Sequence, residues 1–258
     1  MSNSSILAGV DILIDEALGL KNSPFKYKHK KRCQLFSKGI APDLDGKVLI
    51  DKIFDRIQSN WHKGKSRSNN QNWRWKPNPE INDKNKSREV FLERLIVKTQ
   101  VGADWVNQVP VASGLTSRGG GRRAIDLVHR GENGWYELIE LKVDHRGGTP
   151  LFAAMEILQY GVLYIFSREK AQELGYDRIE LLKAKGVHLR VLAPADYYAP
   201  DSLSAPYNLS WLKNSIDRGL ASFLTKFNFK MDFKFETLSL TLTRSSPWVT
   251  GGLKRTSP

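Results

Sequence analysis

Asp126, Glu140 and Lys142 are the residues of this chain whose types and spacing are best suited to chemistry. The acid lies in the apolar stretch AIDLV (124–128), and Glu140-x-Lys142 lies in WYELIELKV (135–143). Carboxylates and an amine amid apolar neighbours are costly to bury unless they pair with one another or bind a metal. Asn133-Gly134 between the two stretches is a hairpin signal, because both central positions of a type I′ turn need positive φ. A two-residue loop there sets Asp126 opposite Leu141; a three-residue loop with a bulge sets it opposite Glu140. Either register leaves the two carboxylates roughly 4.5–8 Å apart at Cβ, as direct or diagonal neighbours. Glu140 and Lys142 share a face, because side chains alternate along a strand.

Two acids and a lysine converging on one patch suit metal-assisted phosphodiester hydrolysis. Mg²⁺ is held by one or two carboxylates, several waters and substrate phosphate, and lowers the pKa of a bound water. A neighbouring lysine orients or deprotonates that water, or stabilises developing negative charge. An ordinary Glu–Lys pair on an exposed sheet face is the competing reading, since Glu-x-Lys alone is common.

The elements that must position these groups lie on either side. Ser87 is a plausible N-cap for a helix over 88–97, in which Glu89 and Glu93 lie four apart and share a face. A strand is expected from Trp105 to Val111, then a basic loop over 113–123 (SGLTSRGGGRR), which lacks the Gly-Lys-Ser/Thr ending of a phosphate-binding loop. Arg118, Arg122 and Arg123 in that loop are candidate phosphate contacts. After the hairpin, Thr149-Pro150 opens a helix as N-cap and first residue. Leu151, Ala154, Met155, Leu158, Val162 and Ile165 form its expected buried stripe, with Glu156 and Tyr160 one turn apart and Gln159 beside them. Residues 187–193 read as the last core strand.

The arrangement resembles the PD-(D/E)XK nuclease superfamily, over roughly residues 87–193. The resemblance implies an α/β fold with a restriction-endonuclease-like core: helix, three antiparallel strands, helix, strand. It maps the family's helical glutamate onto Glu93, its strand aspartate onto Asp126 and its E-x-K onto Glu140-Leu141-Lys142. Ile125 stands where the name-giving proline would be. The strings NQVPVASGL (107–115), IELK (139–142) and EILQYG (156–161) also resemble a bacterial group whose function is not settled. Implied by the resemblance are a Mg²⁺ (or Mn²⁺) cofactor held by Asp126, Glu140, the Leu141 carbonyl and Glu93, with Lys142 serving the attacking water. Glu156, Gln159 and Tyr160 are implied as polar neighbours of the metal site; Tyr160 is equally readable as a packing residue. Defence against foreign DNA and DNA repair are the roles that superfamily habit suggests.

Composition supports a polyanionic partner. A net charge of +13 favours binding to nucleic acid, DNA first, with RNA presenting the same phosphate charge. No apolar run approaches the ~20 residues of a membrane span, and the start, with acids inside its apolar stretch, reads as an amphipathic helix rather than a signal peptide. The single Cys33 excludes an internal disulfide and a cysteine-rich zinc site, and suits the cytoplasm. Five histidines without i,i+4 pairing give no support to a zinc hydrolase.

Three regions are expected. Residues 1–86 form a basic N-terminal extension with two helical pieces separated by a basic run (21–32), then an irregular Trp/Lys/Asn-rich segment (61–86). There Lys63, Lys65 and Arg67 could track a phosphate backbone while Trp73, Arg74 and Trp75 stack on bases; the alternative is a polar loop whose tryptophans cover the core. Residues 87–195 form the nuclease-like core. Residues 196–258 add a helix (209–226), an alternating strand (229–235) and a loose tail over the last fifteen residues. A homo-oligomer is compatible with all of this. The leading expectation is a Mg²⁺-dependent endonuclease; the alternatives are a nucleic-acid-binding accessory module with an inactive nuclease fold, or an RNA nuclease.

Overall fold

The computed structural model describes residues 5–38, 41–64, 71–81, 87–100, 104–113, 123–199, 206–238 and 255–256. In chain order these form α1 (Val10–Ala17), α2 (Lys30–Lys38), α3 (Gly46–Gly64), α4 (Arg88–Thr99), β1 (Trp105–Pro110), β2 (Ala124–Arg130) and β3 (Trp135–Leu141). They continue with α5 (Pro150–Glu169), α6 (Ala171–Leu174), β4 (Gly186–Pro194), α7 (Ala195–Tyr198), α8 (Ser210–Leu224), β5 (Lys230–Leu238) and β6 (Arg255–Thr256). The fold is α/β around one mixed six-stranded sheet in the order β1-β2-β3-β4-β5-β6. β1, β2 and β3 are antiparallel, β3-β4-β5 run parallel, and β6 returns antiparallel. A parallel β3–β4 pair needs a crossover, and α5 supplies it.

The sheet divides two cores. Leu92 and Ile96 of α4 pack on Trp105, Leu127, Ile139, Leu141 and Leu192 on one side. The other side meets α5 and α8, with α3 laid over both and α1 against α3. The α3–α8 crossing is closed by glycine: a Cβ on Gly46 would come 1.9 Å from the Ser215 carbonyl oxygen. Ser87 caps α4 and Thr149 caps α5, each hydroxyl accepting a backbone N–H of the first turn, and Pro150 opens α5 as expected.

Several expectations change. Among the described residues before residue 87 there are three helices rather than two, because part of the basic run folds as α2, and Ile14, Leu49, Ile53 and Ile57 join the main core. Trp73 is fully buried, edge-on to Tyr164, so it is a core residue and has no free face for a base. Trp75 lies half-buried under the Arg130 guanidinium. α5 is buried on nearly every side instead of along one stripe, since it lies between the sheet and α3. Its length and apolarity would pass for a membrane span, but 89% of that window is buried inside the protein. In the tail, Arg255 and Thr256 pair with Leu238 and Thr237, and its other residues lie outside the described ones.

Candidate active site

β2 and β3 meet through a three-residue turn, Glu132–Gly134, closed by the Gly131 N–H donating to the Trp135 carbonyl. Asn133 and Gly134 take positive φ (56° and 81°), as the turn requires. Leu127 pairs with Ile139; one step further along this register, Asp126 faces Glu140. On its other side Asp126 faces Gln108 of β1, between the Asn107–Leu127 and Val109–Ile125 pairs. Of the two registers open to the sequence, the three-residue one is realised.

Around that point the acids gather. Asp126 Oδ2 accepts the Leu141 N–H at 2.8 Å. Lys142 Nζ donates to Glu140 Oε1 at 2.5 Å and lies 3.8 Å from Glu156 Oε2 of α5. The Tyr160 hydroxyl donates to the other Glu156 oxygen at 3.1 Å. From α4, Glu93 accepts the Gln108 side-chain amide at 2.8 Å. One turn earlier, Glu89 lies near the Val143 backbone and rests against Gly147, where a Cβ would come 2.1 Å from its Oε1. Gln159 donates to the Met155 carbonyl. Glu93, Glu140 and Lys142 are 1%, 3% and 5% exposed.

Four carboxylates (Glu140, Asp126, Glu156 and Glu89) therefore share one ammonium, and Glu93 adds its charge beside Asp126. Burial, then the Asp126 charge, pushes Glu93 up to about 8. Burial also raises Asp126 to about 6, against the opposing pull of Lys142 and the Leu141 N–H. Glu140 is driven well above the carboxylate range by burial and by Asp126. Glu89 is raised by burial. Burial disfavours the Lys142 ammonium, but Glu140, Asp126 and Glu156 outweigh it and raise its pKa. The pocket thus holds more negative potential than its own cation neutralises, and protons make up the difference.

Hard carboxylate oxygens of this kind suit Mg²⁺ or Mn²⁺. Glu140 Oε2 is buried and has no hydrogen-bond partner among the described residues, a position a cation or its water would satisfy. Among the described residues, however, no three His, Cys, Asp or Glu side chains are already grouped to hold a metal ion. One oxygen of each acid is already engaged: Lys142 Nζ occupies one Glu140 oxygen, the Leu141 N–H one Asp126 oxygen and the Gln108 amide one Glu93 oxygen. Leu141 itself buries its side chain in the α4 core while its backbone touches Asp126.

The other expected contacts divide. Arg123 is half-buried and its charge is felt by Asp11 and Tyr160, which places it near the site. Arg74 is exposed and bonds Gln71. Arg118, Arg122, Lys65 and Arg67, and the side chain of Lys63, lie outside the described residues. Sequence reasoning missed Gln108, and it gave Glu89 no role beyond sharing a face with Glu93. It also missed a cationic rim: Arg88 and Arg146 both reach Asp144, beside Glu89 and Gly147. On the α1 side, Lys28 pairs with Asp11, which also accepts the Tyr27 hydroxyl; Tyr27 in turn stacks on Phe152 of α5. Glu89 carried a signal, its i,i+4 relation to Glu93; the rim had none beyond general basicity. No protein-family model, curated protein or solved structure matches the chain.

Proposed function

We propose that this protein is a Mg²⁺-dependent endonuclease of PD-(D/E)XK type, acting on DNA in the cytoplasm, with α4-β1-β2-β3-α5-β4 as the nuclease core. One observation carries the reading. Acids from α4, β2, β3 and α5 converge on Lys142 despite the cost of burial, and one of them keeps an unpartnered oxygen. A structural ion pair would balance its charges; this cluster carries a surplus of carboxylate, which is what a divalent cation needs.

Asp126, Glu140 and Glu93 would hold the metal, with the Leu141 carbonyl beside them, and Glu89, whose charge is felt by Asp126, would join through water. When bound, the cation supplies charge neutralisation at the phosphoryl oxygens and a more acidic water. The chain's own residues do the rest. Lys142, freed from Glu140 Oε1, turns its ammonium toward the phosphate and the attacking water. Glu156, steadied by Tyr160, keeps Lys142 charged and oriented. Asp126 is fixed by the Leu141 N–H, so the two strands present their acids as one rigid unit. Arg88 and Arg146, held at Asp144 near Glu89, and Arg123, whose charge reaches Tyr160, would attract the backbone on either side of the scissile phosphate.

The Lys142–Glu140 contact also favours a second reading, a nucleic-acid-binding module in which the ammonium replaces the metal for good. Incubating the purified protein with supercoiled, linear and single-stranded DNA and with RNA, in Mg²⁺ or EDTA, separates the readings. Metal-dependent cleavage of DNA supports the proposal, and cleavage of RNA alone redirects it. Binding without cleavage in Mg²⁺ or Mn²⁺ replaces it with the binding module.

A further inference from the structure

Gln108 stands in the middle of an edge strand with φ of 51°, a left-handed conformation that residues other than glycine, asparagine and aspartate rarely take. The anomaly has a visible geometric effect. Val106 and Val109, three apart, both join the core on the α5 side, so the alternation of β1 is broken at this residue. Its side-chain amide reaches across to α4 and donates to Glu93 Oε2 at 2.8 Å. Glu93 is 1% exposed whereas Gln108 is exposed, so the amide lies on the outer side of the buried acid. The strand is anchored on both sides of the kink. The Asn107 side chain accepts the Asn78 N–H, and the Pro110 carbonyl accepts the Trp73 N–H. Strained backbone of this kind persists only when its surroundings over-determine it, and it clusters at functional sites.

We infer that Gln108 is a positioning residue for the metal site: its left-handed backbone turns the amide onto Glu93 and fixes which carboxylate oxygen is left to face the cation. This rests on the nuclease reading above. Gln108 touches neither metal nor phosphate in this role; it acts through Glu93. Outer partners of metal-binding carboxylates typically set affinity by about 10–100-fold.

Gln108→Gly separates backbone from side chain, because glycine adopts positive φ without steric cost and carries no amide. Mn²⁺ affinity is measured by calorimetry for wild type, Gln108→Gly, Gln108→Ala, Glu93→Gln and the Gln108→Gly/Glu93→Gln pair, with near-UV circular dichroism verifying that each is folded. Both Gln108 variants should weaken Mn²⁺ binding by about 10–100-fold. The double variant should lose no more than Glu93→Gln alone, since both changes break one link. Affinity unchanged in folded Gln108→Gly overturns the inference, as do losses that simply multiply in the double variant. Wild type that binds no Mn²⁺ defeats the metal-site reading itself and the inference with it, and that control is read independently of the variants.

Discussion

Replacing Lys142 with methionine removes a charge while keeping most of the side-chain volume, and its consequences can be worked from the geometry. The ammonium is 2.5 Å from Glu140 Oε1 and 3.8 Å from Glu156 Oε2, and its side chain is 7% exposed. Removing one partner of a buried pair leaves an uncompensated charge and costs about 3–5 kcal/mol. At about 2–4 °C per kcal/mol for a chain of this size, the metal-free variant should melt about 6–20 °C below wild type at neutral pH. Two conditions should return stability. Acidification protonates the surplus carboxylates, which then need no counter-charge, so the deficit shrinks as pH falls. Mn²⁺ replaces the missing charge and, at a hundred times its dissociation constant, contributes about 2.7 kcal/mol. Turnover should fall about 10²–10⁴-fold, as for a deleted acid–base or charge-stabilising group, while metal binding survives. Glu140→Ala should do the opposite, abolishing metal binding and cleavage together. Thermal melts of wild type and Lys142→Met in EDTA and in Mn²⁺ at two pH values, beside a plasmid cleavage assay, test the whole argument. Equal melting temperatures in EDTA, or a Lys142→Met deficit that neither acid nor Mn²⁺ reduces, would refute the account of a charge-starved pocket.

Glu93 gives a pH signature: its carboxyl is raised from 4.5 to about 8 on folding. The native state therefore holds that proton more tightly than the unfolded chain does. Its stabilising contribution is full below pH 4.5 and is lost as pH rises through 8. Glu93→Gln should flatten metal-free stability between those limits in melts across pH, and should raise the Mg²⁺ concentration needed for cleavage. Gly147→Ala should push Glu89 off its seat, because the new Cβ would sit 2.1 Å from its Oε1; weaker Mn²⁺ binding in a folded variant is the expected outcome, and unchanged binding would remove Glu89 from the site. Replacing Arg118, Arg122 and Arg123 together with alanine should flatten the salt dependence of duplex binding by about 0.9 log units per log unit of salt for each phosphate no longer neutralised. An unchanged slope in a filter-binding titration would move the binding surface elsewhere.

What could be read from the sequence was what local chemistry dictates. Ser87 and Thr149-Pro150 mark helix starts because capping is settled within four residues. Asn133-Gly134 marks the turn because positive φ is a property of those two residues. What escaped was set by distant contacts. Glu89 enters the site because Gly147, nearly sixty residues away, leaves room for its carboxylate. Gln108 breaks the period of its own strand, and a pattern argument assumes that period. The hairpin register shows how the two levels meet. Loop chemistry allowed Asp126 to face either Leu141 or Glu140, and one contact that holds β3 where it lies is made by Trp135, the first residue after the turn. Its indole lies where any Cβ on Gly186 would come within 2.4 Å, and it stacks on His188 of the neighbouring strand at 4.7 Å. A slip by one residue would turn every β3 side chain to the other face, lifting Trp135 from that seat and carrying Glu140 and Lys142 away from Asp126. The tryptophan that anchors β3 to β4 at one end thus favours the alignment of the acids at the other, and the candidate site leans on a packing contact that has no chemistry of its own.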